Sequence, residues 1–223
     1  RDISGLRMTV DGLIIADAPW HQDFVARRGA HVIPCVGIGT VASARNDAVT
    51  VNLEVGTAAA LNHLRQQGCS RIAYLVPARH PLGDEEARMK IYRKMVAKPE
   101  IIFLEEPTRA KARETIRQYV AQHGAPDAVF CHNDDYAIGV IRGLKESGLR
   151  VPQEVAVVGC DGVEDTEYLE CPVSTIAIPL ERICEVAWRF LMERIDGYAG
   201  KPRTSHFDPD LIIRASSSRK ADI

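Results

Sequence analysis

Short runs of β-branched and aliphatic residues alternate along this chain with longer stretches in which apolar positions recur every three or four residues. The first pattern predicts buried strands and the second amphipathic helices. Val10–Ala16, His31–Val36 and Ala48–Val51 read as strands, with a short helix at Gln22–Arg28 that stops at Gly29. Glu54–Gln67 is predicted helical because Val55, Ala58, Ala59, Leu61 and Leu64 share a face and Gly68 follows as a C-cap. Strands at Arg71–Val76, Ile101–Leu104, Ala128–Cys131 and Glu154–Gly159 then alternate with helices at Asp84–Val96, Thr108–His123 and Asn133–Ser147. Leu180–Ile195 is the last long helix, with Ile183, Val186, Ala187, Phe190 and Leu191 on one face, and Leu211–Ile213 is the final strand.

Strands and helices alternating through tight connections predict an α/β fold of parallel sheets covered on both faces. Ligands of such sheets sit at the carboxyl ends of the strands. That rule points to Ala16-Asp17, Pro77-Ala78, Cys131 to Asp134 and Gly159 to Gly162, and polar side chains gather at the last two. Asn133 follows a strand and opens a helix, so it is either an N-cap or a ligand contact through its amide. Asp134 is favoured at the positive helix end, as a structural partner or a second contact. Asp161 ends an apolar strand, where a carboxylate either accepts from backbone N–H groups or holds a ligand's hydroxyls. Asp17 and Trp20 follow the first strand; the indole either packs or stacks on a sugar or purine.

The composition, with 46% hydrophobic and 26% charged residues, is that of a soluble globular protein of 223 residues. No apolar run approaches the ~20 residues that a membrane-spanning helix requires. The start, Arg1-Asp2-Ile3-Ser4-Gly5, does not read as a signal peptide, so a cytoplasmic protein is expected. The net charge of −2 is spread along the chain without a basic stripe, which predicts poor nucleic-acid binding by this chain alone. Six cysteines (Cys35, Cys69, Cys131, Cys160, Cys171 and Cys184) form no Cys-x-x-Cys pair and read as free buried thiols in a reducing compartment. Cys131-His132 has no second pair at ligand spacing, so neither a metal site nor a cofactor is expected. No dinucleotide fingerprint, P-loop lysine or nucleophile elbow is present, and no nucleophile, base and orienting group can be proposed together. A binding protein is expected rather than an enzyme.

Motifs in order from Val10 to Ser217 then resemble those of one family. Val10-Asp11-Gly12-Leu13-Ile14-Ile15 is one, and Gly56 through His63-Leu64 to Gly68-Cys69-Ser70-Arg71-Ile72-Ala73 another, with Cys69 where histidine is usual. Phe130-Cys131-His132-Asn133-Asp134 leads through Ala137-Ile138-Gly139 to Gly148-Leu149-Arg150-Val151-Pro152 and on to Val155-Ala156-Val157-Val158-Gly159-Cys160-Asp161-Gly162. Pro172 to Ile176 and the ending Leu211-Ile212-Ile213-Arg214-Ala215-Ser216-Ser217 complete the set. Together they resemble the effector-binding core of LacI/GalR transcription repressors.

The resemblance implies a periplasmic-binding-protein-like fold of two Rossmann-like lobes with a ligand cleft between them. Residues 1–51 with 179–205 would form a partial first lobe, and 52–178 with 206–223 the second. It implies ligand contacts at Asn133 and Asp161, and adds Arg88, which otherwise reads as a solvated helix arginine. Gly39 and Ile178 stand where polar residues are common in the family, so either the effector differs from a simple hexose or the response is weakened. The implied function is allosteric sensing of a sugar or purine/nucleoside-like effector in a homodimer. Operator DNA would be bound only through a helix-turn-helix domain absent from this chain, and no membrane contact is implied. The rival reading is a periplasmic solute-binding protein.

Overall fold

The structure, a computed structural model, describes residues 10–16, 33–40, 45–80 and 82–219. The helix predicted at Gln22–Arg28, Asp17 and Trp20 lie outside the described residues. The chain forms two compact units, Arg1–Asn52 with Pro179–Asp208, and Leu53–Ile178 with Pro209–Ile223.

In the first unit, β1 (Leu13–Ala16), β2 (Cys35–Gly39), β3 (Asp47–Val51) and β9 (Thr204–Phe207) form an all-parallel sheet in the order β1-β2-β3-β9. The boundary expected after Ser205 moves to Asp208, because β9 stays paired with β3 through Val51↔Phe207 and Asn52 N–H donates to the Phe207 carbonyl at 2.9 Å. Helix α5 (Leu180–Ile195) buries Ile183, Ala187, Phe190 and Leu191, as its periodicity predicts, and packs against β1, β2 and β3. Beside that face Cys184 is exposed, and Cys171 is half-buried, so two of the six thiols are not core residues.

Asp47 ties this unit together. Its carboxylate is buried, yet Arg194 Nη2 and Arg203 Nη2 each reach it at 2.8 Å, and the Arg203 backbone N–H donates to it at 2.8 Å. Burial pushes the Asp47 pKa up, but the bonds from Arg194 and Arg203 outweigh it and hold the group at about 2. The strand, the helix and the loop that follows it therefore meet at one charge.

In the second unit, β4 (Ile72–Pro77), β5 (Glu100–Leu104), β6 (Ala128–Cys131), β7 (Ala156–Asp161), β8 (Ser174–Ala177) and β10 (Asp210–Ile212) form a sheet in the order β10-β8-β7-β6-β4-β5. All neighbours are parallel except β10, which runs antiparallel to β8 at the edge, where the purely parallel expectation fails. The helices are α1 (Leu53–Gln66), α2 (Ala87–Met95), α3 (Arg109–His123) and α4 (Asp134–Glu146). The helix expected over Asp84–Val96 is split. A 3₁₀ turn occupies Gly83–Glu85, and Glu86 is extended and caps α2 by accepting from Met89 N–H at 3.0 Å.

Helices α3 and α4 lie against each other, and a Cβ at Gly139 would come within 2.3 Å of the Arg109 carbonyl, so only glycine allows that approach. Strands β8 and β9 fall outside the sequence reading because both are rich in hydroxyls. In β8 those hydroxyls are consumed internally. Ser217 Oγ donates to Ser174 Oγ at 2.6 Å, Ser174 Oγ donates to the Arg214 carbonyl at 3.1 Å, and Ser216 Oγ donates to the Val157 carbonyl at 2.6 Å.

Asp47→Ala leaves Arg194 and Arg203 without their buried partner, which predicts a loss of about 3–5 kcal/mol in urea unfolding. Because the folded pKa is depressed, the Asp47 contribution is complete above the unfolded value of 3.8 and disappears as pH falls through about 2. The gap between native protein and the alanine variant should therefore narrow over that window.

Candidate functional site

The second unit gathers its charged and hydrogen-bonding side chains where β4, β6 and β7 end. The β4–β6 register sets Leu75 beside Cys131, so the next residue, His132, leaves the sheet at its carboxyl end, held by its N–H to the Leu75 carbonyl at 2.9 Å. Asn133 follows with extended dihedrals, and its Oδ1 accepts from Tyr136 N–H at 2.9 Å. It is an N-cap through Oδ1, and its Nδ2 group, which also interacts with the Tyr136 hydroxyl, is a hydrogen-bond donor.

Asp134 is fully buried, and its Oδ2 accepts from the Gly162 and Val163 N–H groups, both at 2.8 Å. Burial raises its pKa against the pull of the Thr175 hydroxyl and those two N–H groups. Gly159 is the complement of this carboxylate, since a Cβ there would sit 2.1 Å from Asp134 Oδ1. Asp134 therefore fastens the loop after β7 to the start of α4.

Asp161 is held differently. It ends β7 half-buried with φ 121°, the single non-glycine residue at positive φ among the described residues. Such a backbone costs on the order of 1–3 kcal/mol and persists where the surroundings enforce it. Burial drives the Asp161 pKa up to about 6, with Arg88 and the Cys160 thiol pulling it down and Asp134 and Asp135 pushing it up.

Arg88 comes to the same edge from α2. It is buried, and its Nε donates to Glu86 Oε1 at 2.7 Å. Nη1 donates to the His132 carbonyl at 2.6 Å and approaches Cys160 Sγ at 3.6 Å, and Nη2 lies 2.9 Å from His132 Nε2. Burial alone would lower the Arg88 pKa, but Cys160, Glu86 and Tyr74 raise it above its ordinary value. The solvated helix arginine is thus excluded. His132 is the counterpart: burial, Arg88 and His80 depress its pKa to about 2, so it is neutral, and Tyr74 Oη lies 2.9 Å from its Nδ1.

Arg88, Asn133, Asp134 and Asp161 thus share one edge, while Asp17 and Trp20 lie outside the described residues. Sequence reasoning missed Tyr74 and Glu86, and weighed His132 only within the strand-end stretch and as a metal ligand beside Cys131. The available signal was a tyrosine inside an apolar strand and a histidine at a strand end. No group of three or more His, Cys, Asp and Glu among the described residues is arranged to hold a metal.

A serine–histidine contact exists elsewhere, His63 Nε2 to Ser217 Oγ at 2.8 Å. Both residues are buried, and since the serine hydrogen goes to Ser174, His63 is the donor and not a base. A cavity of about 470 Å³ lies at the opposite, amino ends of β4 and β5, lined by Arg65, Arg71 and Lys98 among others. Arg71 there is already bonded to Glu100, Tyr119 and the carbonyls of His123, Gly124 and Ala125. The strand-end edge carries the better chemistry for a ligand.

Comparison with known proteins agrees with that reading of the fold. Residues 61–217 match the family model described as the periplasmic binding protein-like domain. The chain belongs to the periplasmic binding protein-like domain family. Within it, the LacI/GalR resemblance of the motifs is borne out. The chain is 30% identical over 185 residues to the HTH-type transcriptional repressor PurR of Aliivibrio fischeri, covering 80% of this chain and 55% of that protein. The crystal structure of a LacI family transcriptional regulator from Enterococcus faecalis with bound ribose superposes with a TM-score of 0.85 at 25% identity, covering 96% of this chain and 80% of that one. The lac repressor dimer bound to operator and the anti-inducer ONPF gives a TM-score of 0.79 at 25% identity, over 93% and 64% of the two chains. The chain spans about half the length of the first of these relatives.

The strained, half-buried Asp161 predicts a trade between stability and binding. Its pKa is raised on folding, so ionisation destabilises the fold as pH rises from the unfolded 3.8 through about 6. Asp161→Asn should match the native protein in unfolding free energy near pH 4 and exceed it above pH 6, by about 1–3 kcal/mol.

Proposed function

We propose that this chain is the effector-sensing part of a LacI/GalR-type transcriptional repressor. It binds a small uncharged metabolite, a sugar or a nucleoside-like compound, at the carboxyl edge of the second unit's sheet. Asp161 carries this reading. A carboxylate kept half-buried, at positive φ and with its pKa raised to about 6 is costly to the free protein, and a ligand's hydroxyl groups satisfy it. Asn133 supplies amide donors and Arg88 a guanidinium donor beside it, and Asp134 holds the loop that carries Asp161.

Electrostatics favour an uncharged ligand. Glu86 already compensates Arg88, and His132 is neutral, so Asp161 leaves the edge negative near pH 7. A phosphate or carboxylate would have to enter against that field. Ribose is bound to one relative, which makes pentoses and nucleosides the first compounds to try.

In the same reading the effector biases a conformational equilibrium that is felt by a DNA-binding segment outside these residues. The protein works as a homodimer on a two-fold operator in the cytoplasm, without catalysis. The names of the relatives, repressors one of which is a dimer on its operator, support this. Among the described residues no helix is long and apolar enough to cross a membrane.

The test is a thermal-shift panel pairing D-ribose with D-ribose 5-phosphate, adenosine with its 5′-phosphate, and lactose with lactobionate. A binder at 100 times its Kd stabilises by roughly 2.7 kcal/mol. The uncharged member of a pair should give the shift and the anionic member none, and Asp161→Asn or Asn133→Ala should abolish it. Binding of the anionic members alone, or a shift that survives both substitutions, would refute the assignment.

A further inference from the structure

The contacts around Arg88 close into a ring whose proton positions follow from the donors and acceptors alone. A guanidinium only donates, so His132 Nε2, 2.9 Å from Arg88 Nη2, carries no hydrogen. The neutral imidazole therefore holds its hydrogen on Nδ1, 2.9 Å from Tyr74 Oη. Tyr74 accepts it there and sends its own hydrogen to Glu86 Oε2 at 3.4 Å. Glu86 Oε1 accepts from Arg88 Nε at 2.7 Å, which returns to the start. Every member has one role in this cycle, and a charged imidazole or the Nε2–H tautomer would point a hydrogen at the guanidinium.

Stability does not require such an arrangement. Apolar side chains of similar volume usually fill a core as well as a buried ion pair does, or better. What the ring supplies is orientation. Glu86 fixes the Nε side of the guanidinium, and the His132 carbonyl and Nε2 fix both Nη atoms, the first through Nη1. Four of the five N–H groups are then occupied, counting the longer contact of Nη1 to Cys160 Sγ at 3.6 Å. One Nη2 hydrogen is left on a guanidinium close enough to Asp161 to pull its pKa down.

We propose that Tyr74, Glu86 and His132 are positioning residues for Arg88, a closed ring that locks the guanidinium plane and reserves one N–H for the ligand. The purpose of the ring rests on the reading of this edge as an effector site; its geometry does not. Tyr74 is held in turn by ring contacts to Phe130 at 5.0 Å and Tyr92 at 5.2 Å, so the lock is anchored in the sheet and not in the loops.

The experiment is NMR of the ligand-free protein labelled with ¹⁵N in histidine and arginine. His132 is assigned by its loss in His132→Gln and Arg88 by its loss in Arg88→Lys. His132 should appear as the neutral Nδ1–H tautomer, the minor form of free histidine, and Arg88 should show resolved, slowly exchanging Nη resonances. His132→Leu removes the acceptor and should speed rotation about the Arg88 Nε–Cζ and Cζ–Nη bonds roughly tenfold, the equivalent of a lost charge-assisted hydrogen bond. His132→Gln should keep the slow rotation, because its Oε1 replaces Nε2 as acceptor. If His132→Leu does not fold, Tyr74→Phe gives the same readout by removing a single hydroxyl. An Nε2–H or charged His132, or slow Arg88 rotation in a folded His132→Leu protein, overturns the proposal. No ligand enters the experiment, so its failure is separate from an absence of binding in the effector panel.

Discussion

The burial of one positive charge constrains the rest of the second unit. Arg88 is 8% exposed, and a guanidinium that cannot lose its proton has to be met by acceptors wherever it is buried. Glu86 provides the compensating charge, and in doing so it stays extended and begins α2 one residue later, which is why the predicted helix breaks there. The His132 carbonyl and ring provide the other acceptors. That use of the ring is possible only while the imidazole is neutral, a state that burial and the guanidinium itself enforce. Helix start, strand end and protonation state are thus consequences of where one side chain lies.

Most residues of the matching motifs serve the frame. Asp134 ties the loop after β7 to α4, Gly159 leaves room for it, and Ser216, Ser217 and His63 bind the end of the chain to β8 and α1. Asp47 does the same in the first unit, though no motif marks it. The groups with capacity left for a ligand include the Asn133 amide, one N–H of Arg88 and the Asp161 carboxylate, and Asp134 Oδ1 is buried without a hydrogen-bond partner. Residues that fasten the frame and residues that face a ligand are neighbours in sequence, Asp134 beside Asn133 in one place and Gly162 beside Asp161 in another. That contrast locates the site more sharply than the motifs do.

The strands and helices with strong periodicity were legible in the sequence, since apolar spacing and glycine caps report burial directly. Strands β8 and β9 were not, because Ser174, Thr175, Thr204 and Ser205 look like loop residues until β8 is seen paired with β7 and β9 with β3. Asn133 and Asp161 were legible as strand-end residues, and Arg88 came only through the family resemblance. The ring was not legible, because it joins positions 74, 86, 88 and 132, and only the pairing of β4 with β6 puts Tyr74 beside His132. The structure also supplies a firmer reason to reject Cys131-His132 as a metal pair. Cys131 belongs to the apolar cluster on one face of the sheet while His132 turns toward Tyr74 and Arg88.

The central claim is that the costly, unsatisfied edge at 132–136 and 160–163 is where the effector binds. Amide hydrogen exchange of the protein with and without the strongest-binding member of the effector panel tests it most directly. The account predicts slowed exchange concentrated at 132–136 and 160–163, with the amino ends of β4 and β5 unchanged. Protection centred on the cavity beside Arg65, Arg71 and Lys98, with the 132–136 and 160–163 segments unaffected, would contradict it.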